Sequence, residues 1–287
     1  MPKLGIKPGF IKLVGVRTEI RRQPPVQKPP IVQKQAEYIS NKRSDGVGSQ
    51  LLAKISTMLY ARHNNLVYVH TPFRRSKRHS NTTPEPDVIE RFFNLGFGEL
   101  HSPIQDCKIV STPNFFAKNP DVYNQIMPTI KKRYNLSLKE CSYNTNILNI
   151  ALHIRRGDVV SHNSKRYTSN AIYLNIIRRL DKLNLPPHQF HVFSEGRKEE
   201  FSDFRDVALL HLNGDALDTF HHLVKSDIFV MAKSSFSYSA ALYSGGVIIY
   251  HHTCGFGCGE HYRPMSNWIS SDSDFKLLYQ RYDMPKI

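Results

Sequence analysis

The sequence predicts an α/β protein made of two halves, each with a parallel sheet, with a cleft between them. Short apolar segments of strand length alternate with segments of helical spacing along most of the chain, an order typical of β-α-β layers. A length of 287 residues allows two domains of ordinary size. A hydrophobic fraction of 40% supplies the apolar side chains for their cores.

Composition and pattern divide the chain into three parts. Residues 1–36 contain paired prolines among lysine, glutamine and arginine. Because proline excludes helix, we expect an extended basic arm there. Residues 37–142 are predicted to form the first half, and residues 143–287 the second.

The first half begins with a strand, a glycine loop, a helix and a second strand. Gly46 and Gly48 permit a sharp turn, and Asp45 or Ser49 is predicted to cap the helix. Apolar residues then recur at helical spacing, and a strand follows at 66–69. The apolar helical positions are Leu51, Leu52, Ile55, Met58 and Leu59.

The pattern is less regular in the rest of the first half and alternates clearly in the second. In the first half we predict a helix at 87–97, a short strand at 107–113 and a helix at 119–135 that Pro128 kinks or breaks. The second half contains predicted strands at 149–152, 190–196, 208–213, 227–232 and, as the final strand, 245–252. Helical segments are predicted between them at 171–184, 197–204, 215–225 and 234–244.

The segment ALHIRRGD, 151–158, indicates an anion site. An apolar strand runs into His153, Arg155, Arg156 and Asp158, and Gly157 allows a tight turn. Ligands of open α/β sheets bind beyond the carboxyl ends of strands, and the guanidinium fork matches phosphate oxygens. The motif therefore predicts a phosphate site, most simply for the diphosphate of a nucleotide sugar. The alternative is a solvated turn in which Arg155 and Asp158 form a weak surface pair.

Two further groups follow predicted strands of the second half. Ser234 and Ser235 precede a helix, where backbone N–H groups favour an anion, although an ordinary serine N-cap explains them equally well. Glu195 ends the strand FHVFSEG, where its carboxylate is expected either to contact a ribose or sugar hydroxyl or to cap the next segment.

The glycine loop DGVGSQ, 45–50, is a weak signal taken alone. It lacks the lysine and the spacing of the phosphate loop GxxxxGK[ST], and it does not complete GxGxxG because Leu51 stands at the position of the third glycine. A nicotinamide cofactor is therefore disfavoured.

The charge balance favours an anionic partner. Lysine and arginine number 39 against 24 acidic residues, which gives a formal net charge of +15. Nucleic acid is disfavoured because no zinc-finger, aromatic RNA-binding or leucine-zipper pattern accompanies the basic residues. A nucleotide sugar or an acidic glycan suits the charge.

The four cysteines do not predict a disulfide framework, because no secretory signal is recognised. Cys254 and Cys258 lie near histidines, but their spacing fits zinc sites only loosely, so we expect free thiols and no bound metal. No run of 18 apolar residues occurs, so no membrane span is predicted.

The strand-end groups together resemble the GDP-fucose-dependent fucosyltransferases of the α1,2, α1,6 and protein-O-fucosyl superfamily. The match to HxRRGD is close, since all five of its specified positions, within 153–158, are in place. Segments 234–237 and 193–196 are similar to the third and second motifs of that family. Loop 45–50 is similar to its G-x-G-N-Q motif, with Ser49 in place of asparagine. The clear resemblance covers about 149–250.

The resemblance implies a GT-B architecture, in which two Rossmann-like domains enclose the active site and the second domain binds the donor. It implies an inverting, metal-independent enzyme without a cofactor that moves L-fucose from GDP-fucose to a glycan or glycoprotein acceptor. Arg155 would then hold the β-phosphate, and Arg156 would assist the phosphates or orient the loop. The other donor contacts that it implies are His153 with Asp218 or Asp227 at the base or ribose, Ser234, Ser235 and Phe236 at the phosphates, and Glu195, Gly46 and Gly48 beside them.

The general base and the donor are not fixed by the resemblance. Some relatives use a glutamate downstream of the motif histidine, and Asn163 occupies that position here. Asp158, His162 and Asp45 are the candidate bases, with Asp158 alternatively bracing the arginines. GDP-fucose is the expected donor, with UDP-xylose or GDP-rhamnose as the alternative, and a non-catalytic glycan- or nucleic-acid-binding protein is a further alternative. The expected location is the cytoplasm of a bacterium, or of a host cell if the protein is viral.

Overall fold

A computed structural model of the chain describes residues 37–75, 84–113, 115–159, 166–251 and 264–282. The described residues belong to one compact unit, and their strands form two sheets in which every neighbouring pair is parallel. The predicted arm at 1–36 lies outside the described residues.

The first sheet has four strands in the order β3-β2-β1-β4. Its strands are β1 (Tyr38–Ser40), β2 (Val67–His70), β3 (Leu100–His101) and β4 (Lys108–Ile109). Its helices are α1 (Val47–His63), α2 (Pro86–Phe93), α3 (Phe115–Lys118) and α4 (Pro120–Tyr134).

The second sheet has six strands in the order β10-β9-β8-β5-β6-β7. The strands are β5 (Leu148–Ile154), β6 (His188–Ser194), β7 (Leu209–Leu212), β8 (Ile228–Val230), β9 (Val247–Tyr250) and β10 (Ile269–Ser270). The helices are α5 (Asn170–Asp181), a 3₁₀ segment (Lys198–Phe204), α6 (Ala216–Lys225), α7 (Ser235–Tyr243) and α8 (Lys276–Arg281).

These two parallel sheets confirm the predicted α/β class. The division into halves at residue 142 stays a prediction. The register of the second sheet aligns its strand ends, because Ile154 pairs with Ser194 and Leu152 with Val230. Residues that follow β5, β6 and β8 therefore meet at one edge of the sheet.

Several local predictions are wrong for identifiable reasons. Helix α1 begins after Gly46 without a side-chain cap, because Asp45 pairs with Arg43 and Ser49 donates to Ser235 Oγ at 2.9 Å. Pro128 does not break helix α4, which continues through it; Pro128 is exposed, so the carbonyl that loses its intrahelical partner there can be hydrated. Strand β9 is not the last, since β10 pairs beside it.

Helices that accompany the first sheet and helices that accompany the second sheet share one apolar core. Helix α1 packs against α7, and aromatic rings extend the contact: Phe93 meets Phe220 edge-on at 5.0 Å between centroids, and Tyr134 lies 5.1 Å from Tyr243. A second core fills the opposite side of β5 around Leu152. The shared core fixes the start of α1 against the start of α7. Among the described helices, none is long and apolar enough to cross a membrane.

Candidate active site

A cavity of about 420 Å³ lies at the carboxyl edge of the second sheet. Its walls come from the loops after β5, β6 and β7 and from the first turns of α1 and α7, so residues far apart in the chain share it. The lining includes Asp45, Gly46, Gly48, His153, Arg155, Arg156, Asp158, Glu195, Ser234, Ser235 and Phe236, together with Arg166, Asn213, Gly214 and Thr219.

Arg155 presents a guanidinium between two carboxylates in this cavity. Its side chain is 17% exposed, it pairs with Asp158, and its Nη1 lies 3.9 Å from Glu195 Oε2. The ion pair with Asp158 fits the alternative in which 151–158 ends in an ordinary surface turn, but Arg155 and Asp158 both line the cavity. Gly157 has φ +72°, a backbone conformation that favours glycine.

Arg156 is occupied by the protein itself. It is 6% exposed, and its guanidinium donates to the Thr168 carbonyl at 3.0 Å and to Asn170 Oδ1 at 2.7 Å. It also lies over the Tyr167 ring at 4.3 Å from the centroid. The family resemblance implies that Arg156 either assists the phosphates or orients the loop, and these contacts fit the second role.

His153 is a buried, neutral imidazole at the end of β5. Ser237 Oγ accepts the Ala232 N–H at 2.9 Å and lies 3.1 Å from His153 Nδ1, to which it donates its proton. Burial, together with a smaller effect of the positive charge of Arg155, lowers the pKa of His153 to about 3. The remaining ring nitrogen, Nε2, is then an N–H donor.

The first turns of α1 and α7 meet at the cavity. Ser234 caps α7 by accepting the Phe236 N–H at 3.2 Å, which is the ordinary N-cap role. Ser235 instead accepts from Ser49 Oγ at 2.9 Å. Apart from Ser234, no side chain among the described residues caps the N-terminus of α1 or of α7. The remaining backbone N–H groups of their first turns can therefore face an anion.

The loop after β6 is held rigidly by Asn213, which no motif predicts. Asn213 Oδ1 accepts the Gly196 N–H at 2.9 Å and its Nδ2 donates to the Gly196 carbonyl at 2.8 Å. Gly196 has φ +125°, a conformation that favours glycine. Glu195 does not cap the following 3₁₀ segment, since Glu200 accepts the Arg197 N–H there. Asn213 follows β7, so the strand-end rule could have found it.

Two carboxylates predicted for the donor do not line the cavity. Asp227 precedes β8 at the amino edge of the sheet, where it accepts the Asn149 N–H at 2.8 Å. Asp218 lies in the first turn of α6 with its side chain 59% exposed and beside His222. Asp45 does line the cavity, paired with Arg43. His162 lies outside the described residues, and for Arg166 no sequence signal is apparent.

The described ranges contain no group of three or more histidine, cysteine or acidic residues placed to hold a metal ion. Cys254 and Cys258, predicted as free thiols, lie outside them.

No match was found among protein-family models or among curated proteins. Among solved structures, the NodZ alpha-1,6-fucosyltransferase soaked with GDP-fucose aligns at 13% identity and a TM-score of 0.44, over 78% of this chain and 97% of that one. A mutant FUT1 of Arabidopsis thaliana in complex with GDP aligns at 13% identity and 0.42, over 83% and 73%. The ADP-heptose LPS heptosyltransferase II of E. coli aligns at 8% identity and 0.38, over 85% and 96%.

Proposed function

We propose that this protein is an inverting, metal-independent glycosyltransferase that moves a sugar, most simply L-fucose from GDP-fucose, to a glycan or glycoprotein acceptor. The observation that carries the proposal is Arg155. Its guanidinium lines a cavity that the first turns of two helices, α1 and α7, also line. Guanidinium and helix N-termini both favour phosphate.

We assign Arg155 to the stabilisation of a diphosphate leaving group. Glycosyl transfer builds positive charge on the sugar and negative charge on the departing diphosphate. A guanidinium fixed in place stabilises that negative charge more in the transition state than in the ground state. Arg155 is the residue we assign to this role, and Arg156 positions the loop that carries it. A cavity of about 420 Å³ is within the usual range for small-molecule sites.

Polar side chains of the cavity can contact the nucleoside and sugar parts of the ligand. With Nδ1 accepting from Ser237, His153 can offer its Nε2–H to a ribose or base oxygen. Glu195 and Thr219 line the same cavity and offer a carboxylate and a hydroxyl to sugar hydroxyls.

Asp45 is the carboxylate that we assign to the acceptor hydroxyl. Asp45 precedes α1 and lies on the wall of the cavity that the start of α1 forms. Asp158 and Glu195 lie elsewhere in the cavity, where they flank Arg155. Asp158 is therefore assigned to bracing Arg155. The Asp45 carboxylate accepts from Arg43 Nε at 3.0 Å and from Arg43 Nη2 at 2.9 Å.

A thermal-shift panel tests the proposal and names the donor. The panel contains GDP, UDP, GDP-fucose, GDP-rhamnose and UDP-xylose, because a ligand that binds the folded state alone raises the melting temperature. At 100 times its Kd, such a ligand adds about 2.7 kcal/mol to the free energy of unfolding. A selective shift with GDP and GDP-fucose supports fucosyl transfer, and a selective UDP shift retains the enzyme class with another donor. Absence of any shift at millimolar ligand would contradict the proposal.

A further inference from the structure

The loop that follows β2, residues 71–75 (the β2 loop), lies at the carboxyl edge of the first sheet. One buried side chain ties this loop to the wall of the cavity. Gln50 Nε2 donates to the Asp45 carbonyl at 2.6 Å and to the Arg74 carbonyl at 2.8 Å, and Gln50 Oε1 accepts the Arg74 N–H at 2.8 Å. Asp45 lines the cavity, so the main chain of Arg74 is held beside that wall.

Buried charged side chains hold the rest of the β2 loop. Lys54 of α1, which is 1% exposed, donates its ammonium to the Thr71 carbonyl, and Glu90 of α2 accepts the Phe73 N–H at 2.6 Å. Burial lowers the pKa of Lys54 to about 8; Glu90 opposes this effect and the positive charge of Arg74 adds to it. Side chains from two helices therefore fix the backbone of this loop in one conformation.

The charge of Arg74 is exposed on the β2 loop. Its two arginine neighbours are paired, since Arg75 Nη2 lies 3.6 Å from Glu85 and Arg43 Nη2 lies 2.9 Å from Asp45. The Arg74 guanidinium, in contrast, forms no ion pair or hydrogen bond with any residue that the structure describes. Its backbone is therefore fixed, whereas its five N–H donors can serve a ligand.

The function proposed above assigns Asp45 to the acceptor hydroxyl, and the present inference rests on that assignment. The acceptor then approaches along the wall that the start of α1 forms, which is where the β2 loop is tied. An anionic group on the acceptor would meet the guanidinium, whose fork of donors matches the oxygens of a carboxylate or a phosphate. The formal net charge of +15 also favours the approach of an acidic ligand.

We propose that Arg74 binds an anionic group of the acceptor, so that the natural acceptor is an acidic glycan that carries a carboxylate or a phosphate near the receiving hydroxyl. Arg74 thereby determines acceptor specificity, whereas Arg155 serves the donor. Gln50 is the positioning residue that holds Arg74 beside Asp45. A neutral glycan offers the guanidinium no charged partner and is bound more weakly.

Oligosaccharide binding to the full chain, measured by calorimetry in the presence of saturating GDP, tests this inference. The carboxylate probe is tetragalacturonic acid, with its methyl ester as the neutral counterpart. The phosphate probe is pentamannose 6-phosphate, with dephosphorylated pentamannose as the neutral counterpart. At least one acidic probe is expected to bind on the order of 10-fold or more tightly than its neutral counterpart, since hydrogen bonds to a charged group contribute that much. The probe that shows this preference identifies the anionic group.

Arg74→Gln should remove the preference, because it raises the Kd of the acidic probe on the order of 10-fold and leaves that of the neutral counterpart unchanged. Arg74→Lys keeps the charge without the fork and should retain part of the preference. Arg178→Gln is the matched control, because Arg178 is an exposed arginine in α5, beside the second sheet. Attraction to the overall positive charge would weaken equally in Arg74→Gln and Arg178→Gln.

GDP affinity separates this inference from the function on which it rests. Arg74→Gln should bind GDP as the wild-type chain does, because Arg74 is not among the described residues that line the cavity. If GDP binds the wild-type chain but no acidic probe is preferred over its neutral counterpart, the inference alone is overturned. An equal effect of Arg74→Gln and Arg178→Gln would overturn it as well. Absence of GDP binding to the wild-type chain would overturn the proposed function together with the inference.

Discussion

Gly48 in α1 and Phe236 in α7 approach so closely that a β-carbon on Gly48 would lie 2.5 Å from the backbone nitrogen and α-carbon of Phe236. Both residues line the cavity of the candidate active site. Helix α1 connects two strands of the first sheet, whereas α7 connects two strands of the second. The contact is made by backbone atoms, so rotation of a side chain cannot relieve it. The glycine therefore determines how closely the two helix N-termini meet at the proposed phosphate site.

Gly48→Ala should separate the start of α1 from that of α7. We expect a loss of about 1–3 kcal/mol in the free energy of unfolding, as for other overpacked sites, and weaker nucleotide binding. Chemical denaturation and calorimetry measure the two effects. Gly245→Ala is the control, because nothing lies within 4 Å of a β-carbon at Gly245. A Gly48→Ala protein with wild-type stability and affinity would refute this role.

The two adjacent arginines should separate into a ligand-binding residue and a structural one. Arg155→Ala is expected to keep the melting temperature close to wild type while transfer falls on the order of 100-fold or more, as when a transition-state charge partner is lost. Arg156→Ala should instead lower stability by about 3 kcal/mol, because it removes buried hydrogen bonds from a charged group. If both variants change the same property equally, the assignment of roles is wrong.

The stability of the protein should fall with pH below about 6.5, partly through His153. Its pKa is about 3 in the folded chain against an ordinary value of 6.5, so the unfolded state binds the proton first. The contribution of this group is complete above 6.5 and is lost towards pH 3, by about 1.4 kcal/mol for each pH unit. His153→Gln should show a smaller loss between pH 6.5 and 4 in denaturation curves, with exposed His63→Gln as control. An unchanged slope in His153→Gln would contradict this prediction.

Sequence patterns predict the long elements well because burial imposes their periodicity. The apolar run 149–152 indicates β5, and the strand extends to Ile154 through its pairing with Ser194 of β6. Strands β3 and β10 have two residues each, too few to show a period. They are defined by pairing with β2 and β9, which is a property of the folded chain.

The strand-end rule predicts the site where polar residues immediately follow a long strand. It places Arg155 and Glu195 correctly in one cavity. It cannot show that Arg156 turns away towards Thr168, because that depends on the packing of a distant loop. Asp227 is implied by the family resemblance and not by this rule; because it precedes its strand, it lies at the opposite edge of the sheet.

Calorimetric titration of GDP into the wild-type chain and Arg155→Ala tests the central claim most directly. The account predicts one site per chain and a Kd that rises on the order of 30-fold or more in the variant, since a charged hydrogen-bonding partner of the phosphates is lost. The melting temperature without ligand should stay close to that of the wild type. Equal affinity in the two proteins, or no binding to the wild-type chain by GDP or any other nucleoside diphosphate, would contradict the assignment of this cavity to a nucleotide sugar.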